Sequence, residues 1–425
     1  MAAKNPITAI IVGAGNRGMT YSQFSQEHPD RLQIVGVADT RAWNRQYMID
    51  TYHLSPENVA SDWKELASRE KMADAVIICT QDAMHADPAV AFTRRGYAML
   101  LEKPMAPNEA DCHRIIQAVK ENGILFGVCH VMRYTRYTQM LKAIIDSGAI
   151  GEVISLEHLE PVGYWHQAHS FVRGHWRNEK ESSPMLLAKS CHDLDWIRYM
   201  VGNPCRSLSS FGSLMHFKKS VKPDEAGIAM RCLDCSYEPK CPYSARKIYL
   251  GRLMAGDMGW PVSVINPEPS LENITEALEK GPYGRCVYEC DNDVVDHQIV
   301  NMVFENGATA CFTMTAFNKQ ANRKTRIFGT RGEIYGDGEK IEVYDFLTDQ
   351  TQMIDTGAVS SDAGGKGEPL GGHGGGDYGL MDHFVAAVAE NNPSLILTGP
   401  DESLETHRMV FAAERARLGN LVVDM

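Results

Sequence analysis

The N-terminal third alternates short, continuous apolar runs with helix-forming stretches, and that alternation restricts the fold more than any other feature of the chain. Ile7 to Val12 is an apolar run of strand type; a glycine-rich turn follows, then a helical stretch to about Glu27. Gln33 to Ala38 forms a second run and Ala75 to Thr80 a third, with a short helix from Asp62 to Arg69 between them. A helix from Pro88, a strand from Tyr97 to Leu101, a helix from Asn108 to Asn122 and a strand from Ile124 to Val128 complete the series. Strands without polar alternation are buried on both faces, so the pattern predicts an α/β, doubly wound parallel sheet covered by helices on each side.

The turn after the first run is Gly13-Ala-Gly15-Asn16-Arg17-Gly18, a G-x-G-x-x-G motif between a predicted strand and a predicted helix. That context gives an otherwise common pattern its meaning as a dinucleotide-binding turn. Gly13 permits the tight turn, Gly15 lets the backbone approach a pyrophosphate, and Gly18 lets the helix pack on the strand. Asn16 and Arg17 open the helix, whose free N–H groups face the phosphates. Asp39 ends the second strand roughly 20 residues downstream, where a carboxylate accepts from ribose hydroxyls and repels a 2′-phosphate. NAD is therefore expected over NADP, with Thr40 beside it. Arg41 softens that preference, and the plain alternative for Asp39 is a helix N-cap.

A chain of 425 residues has room for two cores. Its net charge of −12 argues against nucleic acid and anionic membrane as partners, since both need a basic face. No signal-peptide pattern is seen, and the apolar runs fall short of the roughly 20 residues that span a bilayer. A cytoplasmic location is the default expectation.

Leu101-Glu102-Lys103-Pro104 closes the fourth predicted strand, which puts a lysine at the crevice where open parallel sheets bind ligands. Together with the glycine turn, Thr80-Gln-Asp-Ala-Met-His85 and His130-Val-Met-Arg133-Tyr134, it resembles the Gfo/Idh/MocA oxidoreductase family. The resemblance covers the first domain closely and most of the second loosely. It implies a Rossmann NAD-binding domain over 1–134 and a substrate and oligomerisation domain over 135–425, α+β with a large, mostly antiparallel sheet. It also implies action on a ring hydroxyl of sugars, inositols or related polyols, and a homodimer or homotetramer. By the same match Lys103 contacts both nicotinamide ribose and substrate, Pro104 is commonly cis, and Glu102, Thr80, His85 and Arg133 lie beside the cofactor.

In the second domain, residues 183–198 read as a loop entering a helix, with Leu194, Ile197 and Met200 at helical spacing. His192 matches the family histidine that works on the substrate hydroxyl, a task suited to its pKa. Many members place an aspartate one helical turn earlier, where this chain has Ala188. Lys189 or Lys103 is expected to supply the missing electrostatic help. Asp193 and Asp195 read as helix N-terminal charges or histidine orienters. Upstream, Trp176 and Arg177 are candidate substrate contacts, Trp176 either stacking on a sugar ring or simply packing.

Two further segments stand apart. Cys232-Leu-Asp-Cys235 with Cys241, completed by Cys286 or Cys290, reads as a structural zinc site in an insertion near 218–292, with an iron–sulfur cluster or metal-free thiols as alternatives. Cys79, Cys112, Cys129 and Cys311 lie in strand or helix patterns and read as small buried residues. Gly371-Gly-His373-Gly-Gly-Gly-Asp377-Tyr378, after the flexible stretch Ser360 to Gly367, reads as a substrate loop in which His373 and Asp377 bind sugar hydroxyls, or else as a linker. Asn306-Gly307 between two strand patterns predicts a hairpin.

These features converge on an NAD-dependent oxidoreductase acting on a sugar, glycoside or polyol, with Lys103 and His192 handling the hydroxyl proton. Two rivals remain open: NAD-dependent glycoside cleavage through transient C3 oxidation and elimination, and a non-catalytic dinucleotide-binding regulator on the same fold.

Overall fold

The computed structural model describes residues 5–319, 321–357 and 372–425. Among them, β1 (Ile7–Val12), β2 (Leu32–Ala38), β3 (Val59–Ala60), β4 (Ala75–Ile78), β5 (Ala98–Leu101) and β6 (Phe126–Val128) form a parallel sheet in the order β3-β2-β1-β4-β5-β6. Every residue of β4 and β5 is buried, as the unbroken apolar runs require. The order reverses between β1 and β4, so a crevice opens beyond the carboxyl ends of these strands.

Element ends follow local chemistry. The Asn108 side chain accepts from the Asp111 N–H to start the Glu109–Asn122 helix, and Gly123 at φ +60° stops it. The Ala42–Tyr52 helix has no comparable signature. Only Asn44 and Met48 on it are buried, so no apolar stripe announces it.

The second sheet comprises β7 (Val153–Pro161), β8 (Cys205–Ser213), β9 (His297–Phe304), β10 (Thr309–Thr315), β11 (Lys324–Gly329), β12 (Gly332–Gly336), β13 (Lys340–Asp345), β14 (Gln350–Asp355) and β15 (Val422–Asp424). Its order is β14-β13-β12-β11-β7-β10-β9-β8-β15, with only β7 and β10 parallel among the paired strands. It is the mostly antiparallel sheet expected. Burial alternates along β9 and β10, with Val300, Met302, Ala310, Phe312 and Met314 facing inward. The Met185–Val201 and Pro400–Gly419 helices share that core. The Asn306-Gly307 hairpin joins the two strands, with Gly307 at φ +89°.

The chain then returns to the first sheet. Leu380, Met381, Phe384 and Val385 of the Gly376–Glu390 helix join the apolar cluster of Ile7, Ile11 and Ala75. Residues beyond 134 therefore complete the first core as well as building the second. Between β8 and β9 the cysteine-rich insertion is a run of short helical turns around its own apolar cluster, including Phe217, Tyr243, Tyr249 and Leu278. Among the described residues no helix is long and apolar enough to cross a membrane.

Candidate active site

The glycine turn has the shape its spacing predicts. Gly13 sits at φ +89°, and a Cβ there would lie 2.6 Å from the Cys79 carbonyl oxygen. A Cβ on Gly18 would lie 2.2 Å from the Gly13 carbonyl oxygen, so helix and strand approach too closely for any side chain. At Gly15 a Cβ would meet only Arg41 Nη2, at 3.2 Å, which leaves that backbone approachable from the crevice. Gly15 also precedes the Asn16–Ser22 helix without a side-chain cap. Asn16 and Thr40 are exposed and Thr80 half-buried along the same edge. These features fit a dinucleotide pyrophosphate.

Asp39 ends β2 as expected, but its carboxylate already has partners. Oδ1 accepts from the Arg41 N–H at 2.8 Å and Oδ2 from Asn44 Nδ2 at 3.1 Å. The side chain thus braces the entry to the following helix, although Arg41, not Asp39, is that helix's N-cap residue. His85, expected beside the cofactor, is fully buried, with Nδ1 2.8 Å from the Pro104 oxygen and Nε2 3.0 Å from the Thr80 oxygen. It ties two crevice loops together.

Arg17 is likewise turned into the protein. Its Nε donates to Glu102 Oε1 at 2.8 Å, and Nη1 and Nη2 donate to the two Asp377 oxygens at 3.1 and 2.5 Å. Tyr21 donates its hydroxyl to the same Glu102 oxygen at 2.9 Å. Burial alone would raise the pKa of both carboxylates. Arg17 more than offsets it, aided by Lys103 at Glu102 and by His373 at Asp377, and holds both below the usual carboxylate range. One guanidinium therefore joins the glycine turn, the end of β5 and the returning helix.

Lys103 reaches the helix that carries His192 and acts on its ring. Lys103 Nζ donates to the Ala188 carbonyl oxygen at 2.7 Å, one turn before His192 on the Met185–Val201 helix. His192 is 5% exposed, and its Nδ1 is buried without a hydrogen-bond partner among the described residues. Burial, then the Lys103 cation, then His130, His373 and Arg323 hold its pKa well below the usual histidine range. The ring is therefore neutral at neutral pH. Lys103–Pro104 is cis.

Beside the position of the missing aspartate, Lys189 has a partner that local spacing did not reveal. Glu160, at the buried end of β7, lies 2.8 Å from Lys189 Nζ through Oε1. Its Oε2 is 2.9 Å from Arg323 Nε, but that N–H is directed at Asp193 Oδ1, 2.5 Å away, and Oε2 gains no hydrogen bond from it. Lys189 thus stands one turn from His192, held by an acid from another element. The available signal is on β7, where His158 and Glu160 put two polar side chains on the core face.

Asp193 and Asp195 are not N-terminal charges. The helix begins at Met185, so both lie well inside it. Asp193 pairs with Arg323 and His158, while Asp195 holds Arg133 through two hydrogen bonds of 2.7 and 2.8 Å. The third donor of Arg133, Nη1, reaches the Leu397 oxygen at 2.6 Å. Its guanidinium is a buried brace and does not face the crevice as expected.

His373 does approach the site, with its ring 6.0 Å from that of His192 and Nδ1 3.3 Å from Asp377 Oδ2. Gly371 and Ser360 to Gly367 lie outside the described residues. Trp176 and Arg177, expected at the substrate, have partners of their own. Trp176 packs on His175 and Phe171, and Arg177 binds Asp291 at 3.0 and 3.1 Å.

The zinc expectation needs correction. Cys232, Cys235, Cys241 and Cys286 do border one small pocket, but among the described residues no three His, Cys, Asp or Glu side chains converge as metal ligands. Cys232 Sγ instead accepts from Arg173 Nη2 at 3.3 Å, and Cys290 Sγ turns to the Cys286 oxygen at 3.3 Å. Burial pushes the Cys241 and Cys290 thiols up to about 11, which keeps them protonated. The C-x2-C spacing sets a tight turn, with Cys235 N–H donating to Cys232 O. It does not aim the sulfurs at one point.

Two family models match the chain: the oxidoreductase family's NAD-binding Rossmann fold over residues 7–130, and its C-terminal alpha/beta domain over 142–420. A 2,7-anhydro-N-acetylneuraminate hydratase of Mediterraneibacter gnavus is 28% identical over 51% of this chain and 54% of its own length. An inositol 2-dehydrogenase of Salmonella paratyphi B is 33% identical over 34% of this chain and 43% of its own. This chain spans about half the length of the curated relatives it matches first. An Agrobacterium radiobacter oxidoreductase, crystallised with NAD+, L-tartaric acid and magnesium, superimposes with TM-score 0.71 at 15% identity, over 99% of this chain and 98% of that one. With both of its domains matched over most of the sequence, the chain belongs to the Gfo/Idh/MocA oxidoreductase family.

Proposed function

We propose that the chain is an NAD-dependent oxidoreductase that acts on a ring hydroxyl of a sugar, glycoside or polyol. One observation carries this reading: Lys103 Nζ reaches the backbone of the histidine helix beside a neutral His192. A bound nicotinamide would supply the hydride acceptor. Lys103 donates an N–H to the hydroxyl oxygen and stabilises the negative charge that develops there. His192 accepts the proton at its ring as Lys103 stabilises the oxygen it leaves. Glu160 keeps Lys189 in place on the same helix face, so that the cation sits where the family aspartate is absent. NAD is preferred to NADP because the Asp39 carboxylate at the end of β2 repels a 2′-phosphate.

The test is NAD+ reduction against a panel of sugars, glycosides and inositols. NADH formation with at least one class supports the reading. NAD+ binding without reduction of any member contradicts it.

A second reading, redox-assisted glycoside cleavage, is favoured by one relative's name as a hydratase and by His373, a second histidine beside His192. Sugar release without accumulating NADH on the same glycoside would select it.

A further inference from the structure

Beyond Lys103 and His192 lies a wall of aromatic side chains shared by two segments that the sequence separates widely. His166 follows β7 by a few residues, just downstream of Glu160. Its Nδ1 is buried, and the ring lies within reach of the Val162 backbone of its own segment. Burial, then Lys189, His169 and Lys103, hold its pKa well below the usual histidine range, so a neutral ring lies near Lys103, the cation that also acts on His192.

Across from it stands Trp260, from the cysteine-rich insertion. The two rings meet edge to face at 4.8 Å and 76°. Trp165 lies 5.1 Å from Trp260, and Arg252 sits 4.0 Å over the Trp165 ring. Trp260 is nonetheless 38% exposed, a large apolar ring held in place by histidines and left open on one side. Exposed indole faces favour the C–H faces of sugars and other flat apolar groups.

We propose that Trp260 and His166 form a second subsite that takes the aglycone of a glycoside, so the protein binds two-ring substrates in preference to free sugars. The proposal rests on the reading of Lys103 and His192 as the reacting centre. It also gives the insertion a role in specificity: its apolar cluster, with Tyr249 and Tyr283 packed on His169, holds the Trp260 edge against the second domain.

The experiment is calorimetric titration of the NADH-loaded protein with p-nitrophenyl glucoside, galactoside and mannoside, each against its parent sugar. At least one glycoside is expected to bind on the order of 10- to 100-fold more tightly than its sugar. Trp260→Ala should remove that gain and leave the parent sugar within about twofold, whereas Trp260→Phe keeps much of it. His166→Phe should weaken the glycoside without altering NADH affinity. The proposal is overturned if no glycoside gains over its sugar, or if the gain survives in Trp260→Ala. A glycoside that binds with the predicted gain but is never oxidised would leave the subsite standing and remove the reacting-centre reading instead.

Discussion

Lys103→Met lowers kcat/KM for the best substrate by about 10²- to 10⁴-fold while leaving NAD+ affinity within a few-fold. The expectation follows from position. Lys103 Nζ is held 2.7 Å from the Ala188 oxygen, beside His192, where a hydroxyl oxygen would acquire charge. Methionine keeps the length of the stem but offers neither donor nor charge. The loss appears mainly in kcat, because charge develops only as the reaction proceeds. Steady-state kinetics with NADH absorbance, beside a direct titration of NAD+, measure both quantities. An unchanged kcat would remove Lys103 from the chemistry.

Arg17→Met destabilises the protein by about 3–5 kcal/mol near pH 7. The variant leaves Glu102 and Asp377 in a buried place, with side-chain exposures of 8% and 1%, and without the cation between them. In the wild-type protein both carboxyl pKa values are depressed. Their stabilisation is therefore full above the ordinary carboxylate range, roughly pH 4, and is lost as pH falls through the depressed values. Without Arg17, burial raises both pKa values, and protonation relieves the variant as the solution is acidified. The gap between the proteins should narrow from pH 7 towards pH 4. Urea unfolding at several pH values reads it, and a constant gap would mean that Arg17 acts by packing alone.

The first sheet was readable because its information is local. Apolar runs, a glycine turn and helix caps lie within short stretches, and Gly13 and Gly18 are needed for steric reasons that the spacing already implies. The Asn306-Gly307 hairpin was readable for the same reason. The rest of the second sheet was not, because its register is settled between distant partners: Leu156 of β7 pairs with Ala310 of β10.

The site divides in the same way. Lys103 and His192 stand in motifs, but Glu160, Arg323 and His166 reach it from other elements. Arg17 belongs to the glycine motif and Arg133 to a motif of the family resemblance, which is why both are expected beside the cofactor; packing gives both to buried carboxylates instead. The cysteines show the limit of spacing, which determines the turn at Cys232–Cys235 but not the directions of the thiols.

The central claim is that Lys103 and His192 face one crevice, and the pH dependence of kcat/KM tests it most directly. The base must be neutral to work, so activity falls as pH drops through the His192 pKa. The acid limb of the wild-type profile is expected well below pH 6.5, and in the residual activity of Lys103→Met it should shift upward towards the ordinary histidine value of about 6.5, since a neighbouring cation has been removed. A wild-type limb already at that value, unmoved by the substitution, would place the two side chains in separate environments and contradict the account.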